Sequence, residues 1–431
     1  MAHPFLKLAR SLGADSGIPF EIALPGGQRL ALGDGPPAFV IEFKRRAALL
    51  ATLLRGHVGL LEAYFDRQVE VHGDLGQALA AGLRTGIDNR FGSVHSVTNA
   101  LHELRHSARA FAQARRNARA HYGFGTDFYR QWLDEPLMMY TCAYWDETAS
   151  DLDTAQVHKV DHICRKIRLA DGEHVVDVGC GFGGFLLSVG SRRPVKVTGL
   201  NTTPEQVAYL RGEIDRRGLG EQLRVREADM REVDGPYDKL VSIGVLEHAG
   251  RHGLAEVIRT HGQFLRPGGL GLIQFVGHVG HHETDPFIRR HIFPGGWIPS
   301  LADVTIAMED AGLEVLDVEN LRRHYALTLD AWAARFEAHW ETIRSLDPQR
   351  FDERFRRVWR TYLRGCAEMF RAPNGHTHLF QVLFSRGNAG PDQPMTRRHV
   401  YVDEPAAAAS PAARHDAAPY DVVRPAARET A

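Results

Sequence analysis

Short apolar runs alternate with longer amphipathic segments along residues 121–388. The apolar runs are typical of buried strands, and the amphipathic segments are typical of helices that cover a sheet. Seven runs predict strands: His174–Val178, Val195–Leu200, Leu223–Glu227, Tyr237–Ile243, Gly269–Val276, Val315–Asn320 and Leu379–Ser385. This alternation predicts a doubly wound α/β domain whose sheet is mainly parallel.

The segment after the second predicted strand carries the signals of a helix start. Thr203 is a candidate N-cap, Pro204 suits the first turn, and Gln206 is an acceptor that can reach back to the backbone. Three apolar residues then recur at helical spacing: Val207, Leu210 and Ile214. The pattern predicts a helix that begins near Pro204 and buries this face against the sheet.

The chain divides into three zones by its residue pattern. Residues 1–118 hold short strand-like pieces, helical patterns and a basic stretch, which together predict a small α+β domain that ends in a basic helical linker. Residues 119–389 carry the strand and helix alternation. Residues 390–431 are rich in Ala, Pro and Arg without an apolar period, and this composition predicts a disordered tail.

Composition excludes several classes of protein. Of the 431 residues, 44% are hydrophobic and 24% are charged, and the formal net charge is −1, which argues against a nucleic-acid partner bound by a strongly basic surface. The four cysteines lack the paired spacing of zinc sites, so we expect no metal and reduced thiols. No apolar run reaches the roughly 18 residues that span a bilayer, and the N-terminus lacks a signal-peptide pattern. We therefore expect a cytoplasmic protein.

A glycine-rich turn follows the first strand of the alternating region. Gly179, Gly181 and Gly184 stand directly before a helical run. Glycines at this point let the backbone turn sharply and approach a ligand beside a helix N-terminus. Their spacing also satisfies GxGxxG, so taken alone the turn fits a nicotinamide dinucleotide as well as S-adenosylmethionine.

Three polar residues favour S-adenosylmethionine as the ligand. Asp177 stands just before the first glycine, where a carboxylate can hold the ammonium group of the ligand. Asn201 ends the second strand, where a dinucleotide site usually has an acid for the ribose. Asp229 follows the third strand and can accept from an adenine amino group. A dehydrogenase and a glycine turn without a ligand remain as alternatives at this point.

Motifs on both sides of the turn resemble the catalytic domain of the cyclopropane-fatty-acyl-phospholipid synthases. They are Tyr122, Gly123, Asp127–Tyr129, Met139–Trp145, Val241–Gly250, His291–Gly296, Tyr325, Ala331–Trp332, Arg335–Phe336 and Phe380–Gly387. The resemblance covers nearly all of residues 121–388, and Gly59–Leu75 is more weakly similar to the small N-terminal domain of the family. It implies a seven-stranded class I methyltransferase domain, Rossmann-like, after a small α+β domain.

The resemblance also implies a reaction. Members of the family transfer the methyl group of S-adenosylmethionine to the cis double bond of an unsaturated acyl chain in a membrane phospholipid. Positive charge then develops on the acyl chain, a bound bicarbonate ion removes a proton, and a cyclopropane ring closes. We therefore expect a peripheral enzyme at the inner face of the membrane. Its N-terminal domain would serve lipid docking or homodimerisation, and arginines in residues 105–119 and 350–364 could face anionic lipid. For residues 350–364 the alternative is that the aromatic side chains pack on the core while the arginines face water.

The resemblance assigns site residues by motif. For the bicarbonate pocket it implies Cys142, Glu247, Tyr325 and the backbone carbonyl of Val276. For the cofactor it implies the following residues: Tyr140 and Thr141 at the carboxylate end, Gly179 and Gly181 beneath the amino-acid portion, Gln206 near the ribose and Asp229 by the adenine. Asn201 agrees with the usual lack of an acid at that position in the family.

One position departs from the pattern of the family. The cyclopropane synthases have a histidine two residues before the carbonyl that binds bicarbonate, and here that position is Gln274. Glutamine donates and accepts hydrogen bonds but carries no charge. The departure leaves open a related product, in which the same methyl transfer ends in a methylene branch without a ring. The histidines downstream, His278, His281 and His282, are candidates to compensate.

Overall fold

The computed structural model describes residues 2–85, 116 and 121–401. By its internal contacts the chain forms two units, Met1–Gln393 and Pro394–Ala431. The predicted basic linker lies outside the described residues except for Arg116, and so does the tail from residue 402 onward. The domain boundaries expected near residues 118 and 389 stay predictions.

The N-terminal part of the first unit is an α+β arrangement. Its elements are α1 (Ala2–Ser16), β1 (Phe20–Ala23), β2 (Arg29–Leu32), β3 (Phe39–Phe43), α2 (Arg46–Phe65), β4 (Val69–Gly73) and α3 (Leu75–Arg84). The four strands form one sheet in the order β2-β1-β3-β4. Helix α2 is kinked at Gly56, whose φ of 57° lies in the left-handed region.

The rest of the first unit is built on a seven-stranded sheet. Its strands are β5 (His174–Val178), β6 (Lys196–Asn201), β7 (Leu223–Glu227), β8 (Tyr237–Ile243), β9 (Leu265–His278), β10 (Leu313–Asn320) and β11 (Thr377–Arg386). Their order is β10-β11-β9-β8-β5-β6-β7, with β11 antiparallel to both of its neighbours. The predicted doubly wound α/β fold is confirmed. Strand order reverses at β5, and ligands of such sheets bind where this reversal opens a crevice at the carboxyl ends of the strands.

Helices surround this sheet and connect its strands. They are α4 (Thr126–Arg130), α5 (Leu152–Lys166), α6 (Gly184–Arg192), α7 (Pro204–Arg216), α8 (Leu254–Phe264), α9 (Leu301–Asp310), α10 (Arg322–Ala338), α11 (Trp340–Leu346) and α12 (Glu353–Arg371). The described part of the second unit holds the short helix α13 (Arg398–Tyr401). Buried apolar clusters lie on both faces of the sheet, as expected for central strands that are covered by helices on both sides.

Strand and helix positions follow the sequence prediction closely, with two instructive differences. Strand β9 begins at Leu265 rather than Gly269, because a register shift against β8 accommodates extra residues there. Helix α7 begins at Pro204 as predicted, but the Thr203 side chain makes no cap hydrogen bond. Instead the Asn201 Oδ1 accepts from the Thr203 backbone N–H at 3.0 Å.

The arginine-rich helix α12 does not offer the expected free cationic face. Its aromatic residue Trp359 and its Leu363 are buried in the core. Its arginines pair with acids on other elements: Arg354 with Glu62, Arg356 and Arg360 with Glu337, Arg357 with Glu70, and Arg364 with Asp330. The helix therefore stabilises the contact between the N-terminal elements and the catalytic domain. Among the described residues, no helix is long and apolar enough to cross a membrane.

Candidate active site

One cavity of about 370 Å³ opens at the carboxyl ends of the central strands. Its lining brings together all thirteen site residues predicted from the sequence: Tyr140, Thr141, Cys142, Asp177, Gly179, Gly181, Asn201, Gln206, Asp229, Glu247, Gln274, Val276 and Tyr325. These residues come from seven separate stretches of the chain. Their common location is what the doubly wound topology predicts for a ligand site.

The glycine turn forms one wall of the cavity. Gly179, Gly181 and Gly183 have positive φ angles of 72°, 55° and 84°. A Cβ at Gly179 would lie 2.5 Å from the Val245 Cγ2, and one at Gly184 would lie 2.5 Å from the Leu137 carbonyl oxygen. Glycine is therefore required here both by backbone conformation and by close packing.

Asn201 and Gln206 hold this turn in place. The Asn201 Nδ2 donates to the Gly181 carbonyl oxygen and to the Gln206 Oε1, each at 3.0 Å. Gln206 therefore does not reach back to the backbone at the start of α7, as the capping pattern predicted. Its side chain joins the end of β6 to the glycine turn, and both residues remain part of the cavity wall.

Asp177 is a buried acid at the end of β5. Its Oδ2 has no hydrogen-bond partner among the described residues. Burial raises the pKa of this carboxyl to about 7, although the nearby charge of Lys159 acts in the opposite direction. A carboxylate left without a partner in a buried site is stabilised by a cationic ligand, such as the ammonium group of an amino acid.

Lys159 is a site residue that the sequence did not indicate. It lies on α5, is fully buried, and its Nζ donates to the Thr141 Oγ1 at 2.6 Å. Burial lowers the pKa of this ammonium group, and the charge of Asp134 is the strongest of the opposing effects. A single lysine in an amphipathic helix looks like a solvent-facing residue, so only the folded structure reveals its position behind Thr141.

Asp229 lies just after the carboxyl end of β7, and Arg231 holds its carboxylate. The Arg231 Nε and Nη2 donate to the two carboxylate oxygens of Asp229, each at 2.8 Å. Asp229 also caps the short turn Met230–Glu232. These bonds fix the orientation of the Asp229 carboxylate in the wall of the cavity.

The second half of the cavity is built from Cys142, Val276 and Tyr325, which pack in one apolar cluster. Glu247 lies on the turn Leu246–His248, and its Oε1 accepts from the Val276 backbone N–H at 2.6 Å. Its Oε2 is buried without a hydrogen-bond partner among the described residues. Burial raises the pKa of Glu247 to about 7, so this carboxyl can both give and take a proton near neutral pH.

The thiol of Cys142 is protonated in this environment. Burial raises its pKa far above the ordinary value for cysteine, and the Sγ donates to the Ala143 carbonyl oxygen at 3.2 Å. A nucleophilic cysteine needs a lowered pKa. Cys142 therefore lines the cavity as a protonated thiol, which is not the form of cysteine that acts as a nucleophile.

Gln274 faces the same cavity and is almost completely buried. The histidines considered as substitutes for the family histidine lie elsewhere. His278 is buried beside Thr377 with its ring against His376, and His281 and His282 are exposed. None of the three is among the residues that line the cavity within the described part of the chain.

Hydrogen-bonded aromatic side chains complete the walls, and most of them were missed from the sequence. The Tyr140 hydroxyl donates to the Tyr362 hydroxyl at 2.9 Å, and the His121 Nε2 lies 3.1 Å from the Tyr140 oxygen. The Tyr122 hydroxyl lies 3.1 Å from the His248 Nε2. Burial lowers the pKa of His248 to about 4, so this ring is neutral and the aromatic wall carries no charge near neutral pH.

The residues present fit S-adenosylmethionine. A buried carboxylate oxygen without a partner suits its ammonium group, and the glycine turn allows a close backbone approach. The family model for mycolic acid cyclopropane synthetases matches residues 110–382 of this chain. The chain belongs to this family. Membership decides between S-adenosylmethionine and the dinucleotide that the glycine spacing alone allowed, and the protein is an S-adenosylmethionine-dependent methyltransferase.

Curated relatives within this family match nearly the whole chain. A probable fatty acid methyltransferase of Pseudomonas putida is 33% identical over 401 residues, which are 89% of this chain and 96% of that protein. The cyclopropane-fatty-acyl-phospholipid synthase of Escherichia coli is 31% identical over 386 residues, or 88% and 93% of the two chains.

Solved structures of the family match the catalytic domain. The cyclopropane synthase MmaA2 of Mycobacterium tuberculosis has a TM-score of 0.59 at 28% identity and covers 63% of this chain and 98% of its own. A mycolic acid cyclopropane synthase in complex with SAH and CTAB has a TM-score of 0.58 at 30% identity, with the same coverage. SAH is the demethylated form of S-adenosylmethionine, so that complex agrees with the cofactor assigned here.

Proposed function

We propose that this methyltransferase acts on the cis double bond of unsaturated acyl chains in membrane phospholipids and forms a cyclopropane ring. The observation that carries the proposal is a single cavity that joins the glycine turn to Cys142, Glu247 and Tyr325. The Escherichia coli relative, which is named a cyclopropane-fatty-acyl-phospholipid synthase, supports the same substrate and product.

S-adenosylmethionine, when bound, supplies an electrophilic sulfonium methyl group. Gly179, Gly181 and Asp177 would hold its amino-acid end, with Tyr140 and Thr141 at its carboxylate. Gln206 and Asn201 would lie near the ribose and Asp229 by the adenine. The role of these residues is to fix the cofactor so that its methyl group faces the second half of the cavity.

The second half of the cavity would hold bicarbonate as the base. An alkene that gains a methyl group becomes a carbocation, and ring closure requires that a proton be removed from that methyl group. Glu247 would orient the anion by accepting from the bicarbonate O–H at its Oε2, Tyr325 would donate from its hydroxyl, and Val276 would contribute its backbone. The surrounding Leu321 and Leu379 are buried and apolar, and this excludes water that would otherwise capture the cation.

The same methyl transfer ending in a methylene branch is the second candidate. Gln274, in place of a histidine, is the observation that favours it, and the Pseudomonas putida relative is named only as a probable fatty acid methyltransferase. Both products gain one CH₂ group. They differ in that a methylene branch takes up hydrogen over a catalyst and a cyclopropane ring resists it.

Mass spectrometry of phospholipids from a host that expresses the protein tests the proposal. We expect acyl chains heavier by one CH₂ that resist mild hydrogenation. Uptake of hydrogen would instead favour the methylene branch, and Gln274→His should then move the product toward the ring. Acyl chains of unchanged mass, in a host where the protein is folded, would contradict the proposed function.

Peripheral binding to the membrane is part of the proposal. Helix α2 exposes Leu50 and Leu54 to 41% and 63%, between the exposed residues Arg46 and Arg55. Apolar side chains flanked by cations suit the boundary of an anionic bilayer. Exchange of both leucines for glutamine should weaken co-sedimentation with phosphatidylglycerol vesicles.

The N-terminal domain is also the proposed site of homodimerisation, which sedimentation velocity of the full chain tests.

A further inference from the structure

A series of buried polar side chains, joined by hydrogen bonds, leads inward from the cavity. Gln274 on β9 and Gln381 on β11 are direct cross-strand neighbours, and the Gln381 Nε2 donates to the Gln274 Oε1 at 2.9 Å. The Gln381 Oε1 accepts from the Lys166 Nζ at 3.0 Å. All three side chains are 1% exposed or less, so water does not compete for these hydrogen bonds.

An acid holds the lysine at the inner end of this series of side chains. The Lys166 Nζ donates to the Glu319 Oε2 at 2.6 Å, and the His162 Nε2 lies 2.7 Å from the same oxygen. Burial raises the pKa of Glu319, but the hydrogen bond from His162 and the charge of Lys166 outweigh it and lower the pKa to about 2. The carboxylate is thus ionised, and it accepts a hydrogen bond from the buried Lys166 side chain.

Lys166 can only donate hydrogen bonds, and this fixes the orientation of both glutamine carboxamides. An ammonium group cannot accept, so Gln381 must turn its carbonyl oxygen toward Lys166 and its NH₂ toward Gln274. Gln274 must then turn its own carbonyl oxygen toward Gln381. Its NH₂ remains for the cavity, because Gln274 lies two positions before Val276 on β9 and both line that space.

We propose that Lys166 and Gln381 are positioning residues that hold the Gln274 carboxamide with its NH₂ directed at the reacting anion. The inference rests on the proposed bicarbonate site. The two ends of a carboxamide have the same shape, so an unrestrained glutamine would also present its carbonyl oxygen, which repels an anion. The fixed orientation supplies a hydrogen-bond donor at a position where the family has histidine.

A double-mutant cycle with bicarbonate as the titrated ligand tests this role, since a residue that acts through Gln274 loses its effect when Gln274 is replaced. Methyl transfer to phospholipid vesicles is measured after bicarbonate has been removed and restored. Gln381→Met should raise the bicarbonate concentration for half-maximal rate about tenfold, as expected for one lost hydrogen bond to a charged group. In the Gln274→Met background the same substitution should change it by less than about twofold. Lys166→Met should behave like Gln381→Met.

Gln77→Met is the matched control, because Gln77 is an exposed glutamine whose side chain donates to Asp74 in the N-terminal domain. It should leave the bicarbonate response unchanged. Melting temperature and cofactor affinity, measured for every variant, report general damage to the fold. Equal shifts in both backgrounds would overturn the positioning role. A wild-type rate that does not respond to bicarbonate would overturn the anion site itself and this inference with it.

Discussion

The backbone N–H of Val276 donates to the Oε1 of Glu247 at 2.6 Å, and this bond ties the Glu247 carboxyl to the strand beside it. In addition, the Trp297 backbone N–H donates to the Glu247 carbonyl oxygen at 2.9 Å. Main-chain groups therefore hold Glu247 from both sides. Among the described residues, no side chain hydrogen-bonds to its second carboxyl oxygen, so these main-chain bonds are what orients the carboxyl.

Glu247→Gln should abolish most turnover while the cofactor still binds. The amide oxygen can keep the bond to Val276, but an NH₂ group then replaces the oxygen that accepts or gives a proton. We expect the methyl-transfer rate to fall by about 100-fold or more, with the affinity for S-adenosylmethionine unchanged in calorimetry. Glu341→Gln, at an exposed position on α11, is the control. Normal turnover of Glu247→Gln would remove this residue from the mechanism.

Cofactor binding should weaken as pH falls through neutrality. The pKa of Asp177 is raised to about 7 in the free protein, and its ionised form is the one that holds an ammonium group. Affinity for S-adenosylmethionine should therefore decrease by about tenfold per pH unit below this pH. In Asp177→Asn the affinity should be low at every pH. A wild-type affinity that rises on acidification would contradict the assignment.

Lys159→Met should move the pH profile of cofactor binding to higher pH. The charge of Lys159 lowers the pKa of Asp177, so its removal lets that pKa rise further. The variant also loses the hydrogen bond to Thr141. Calorimetric titration at several pH values measures the midpoint, and Lys196→Met, at an exposed position on β6, serves as the comparison. An unchanged midpoint would show that Lys159 supports only the packing of α5.

Arg357→Met should destabilise the protein strongly. The guanidinium donates to the Tyr64 carbonyl oxygen and to Glu70, and its side chain is only 9% exposed. Removing one partner of a buried ion pair costs about 3 kcal/mol. Arg344→Met, at a side chain that is 59% exposed on α11, should cost less than about 0.5 kcal/mol. Denaturant unfolding measures the loss of stability in both variants. Small losses of equal size would contradict a role of α12 in holding the N-terminal elements to the catalytic domain.

The parts of the site that depend on contiguous sequence could be predicted. Strand β5 and its glycine turn lie within residues 174–184, and their apolar and glycine pattern directly determines both structures. Motif resemblance then added Cys142, Glu247 and Tyr325, which no local pattern connects. All of them line the cavity.

Contacts between distant elements could not be predicted. Lys166 and Gln381 are 215 positions apart, and their sequence neighbourhoods show only an amphipathic helix and an apolar strand. The arginines of α12 misled for the same reason. Their pattern allowed either a lipid-facing or a water-facing surface, but acids such as Glu62 and Glu70 pair with them from elements far along the chain.

Strand β11 lies between β9 and β10 although it is the last of the three to be synthesised. During translation the two flanking strands leave the ribosome before the strand that separates them exists. Gln274 gains its neighbour only when residues 377–386 have emerged. A polypeptide terminated before Thr377 would therefore present two unpaired strand edges to other chains, so premature termination should yield an aggregating product and not a slower enzyme.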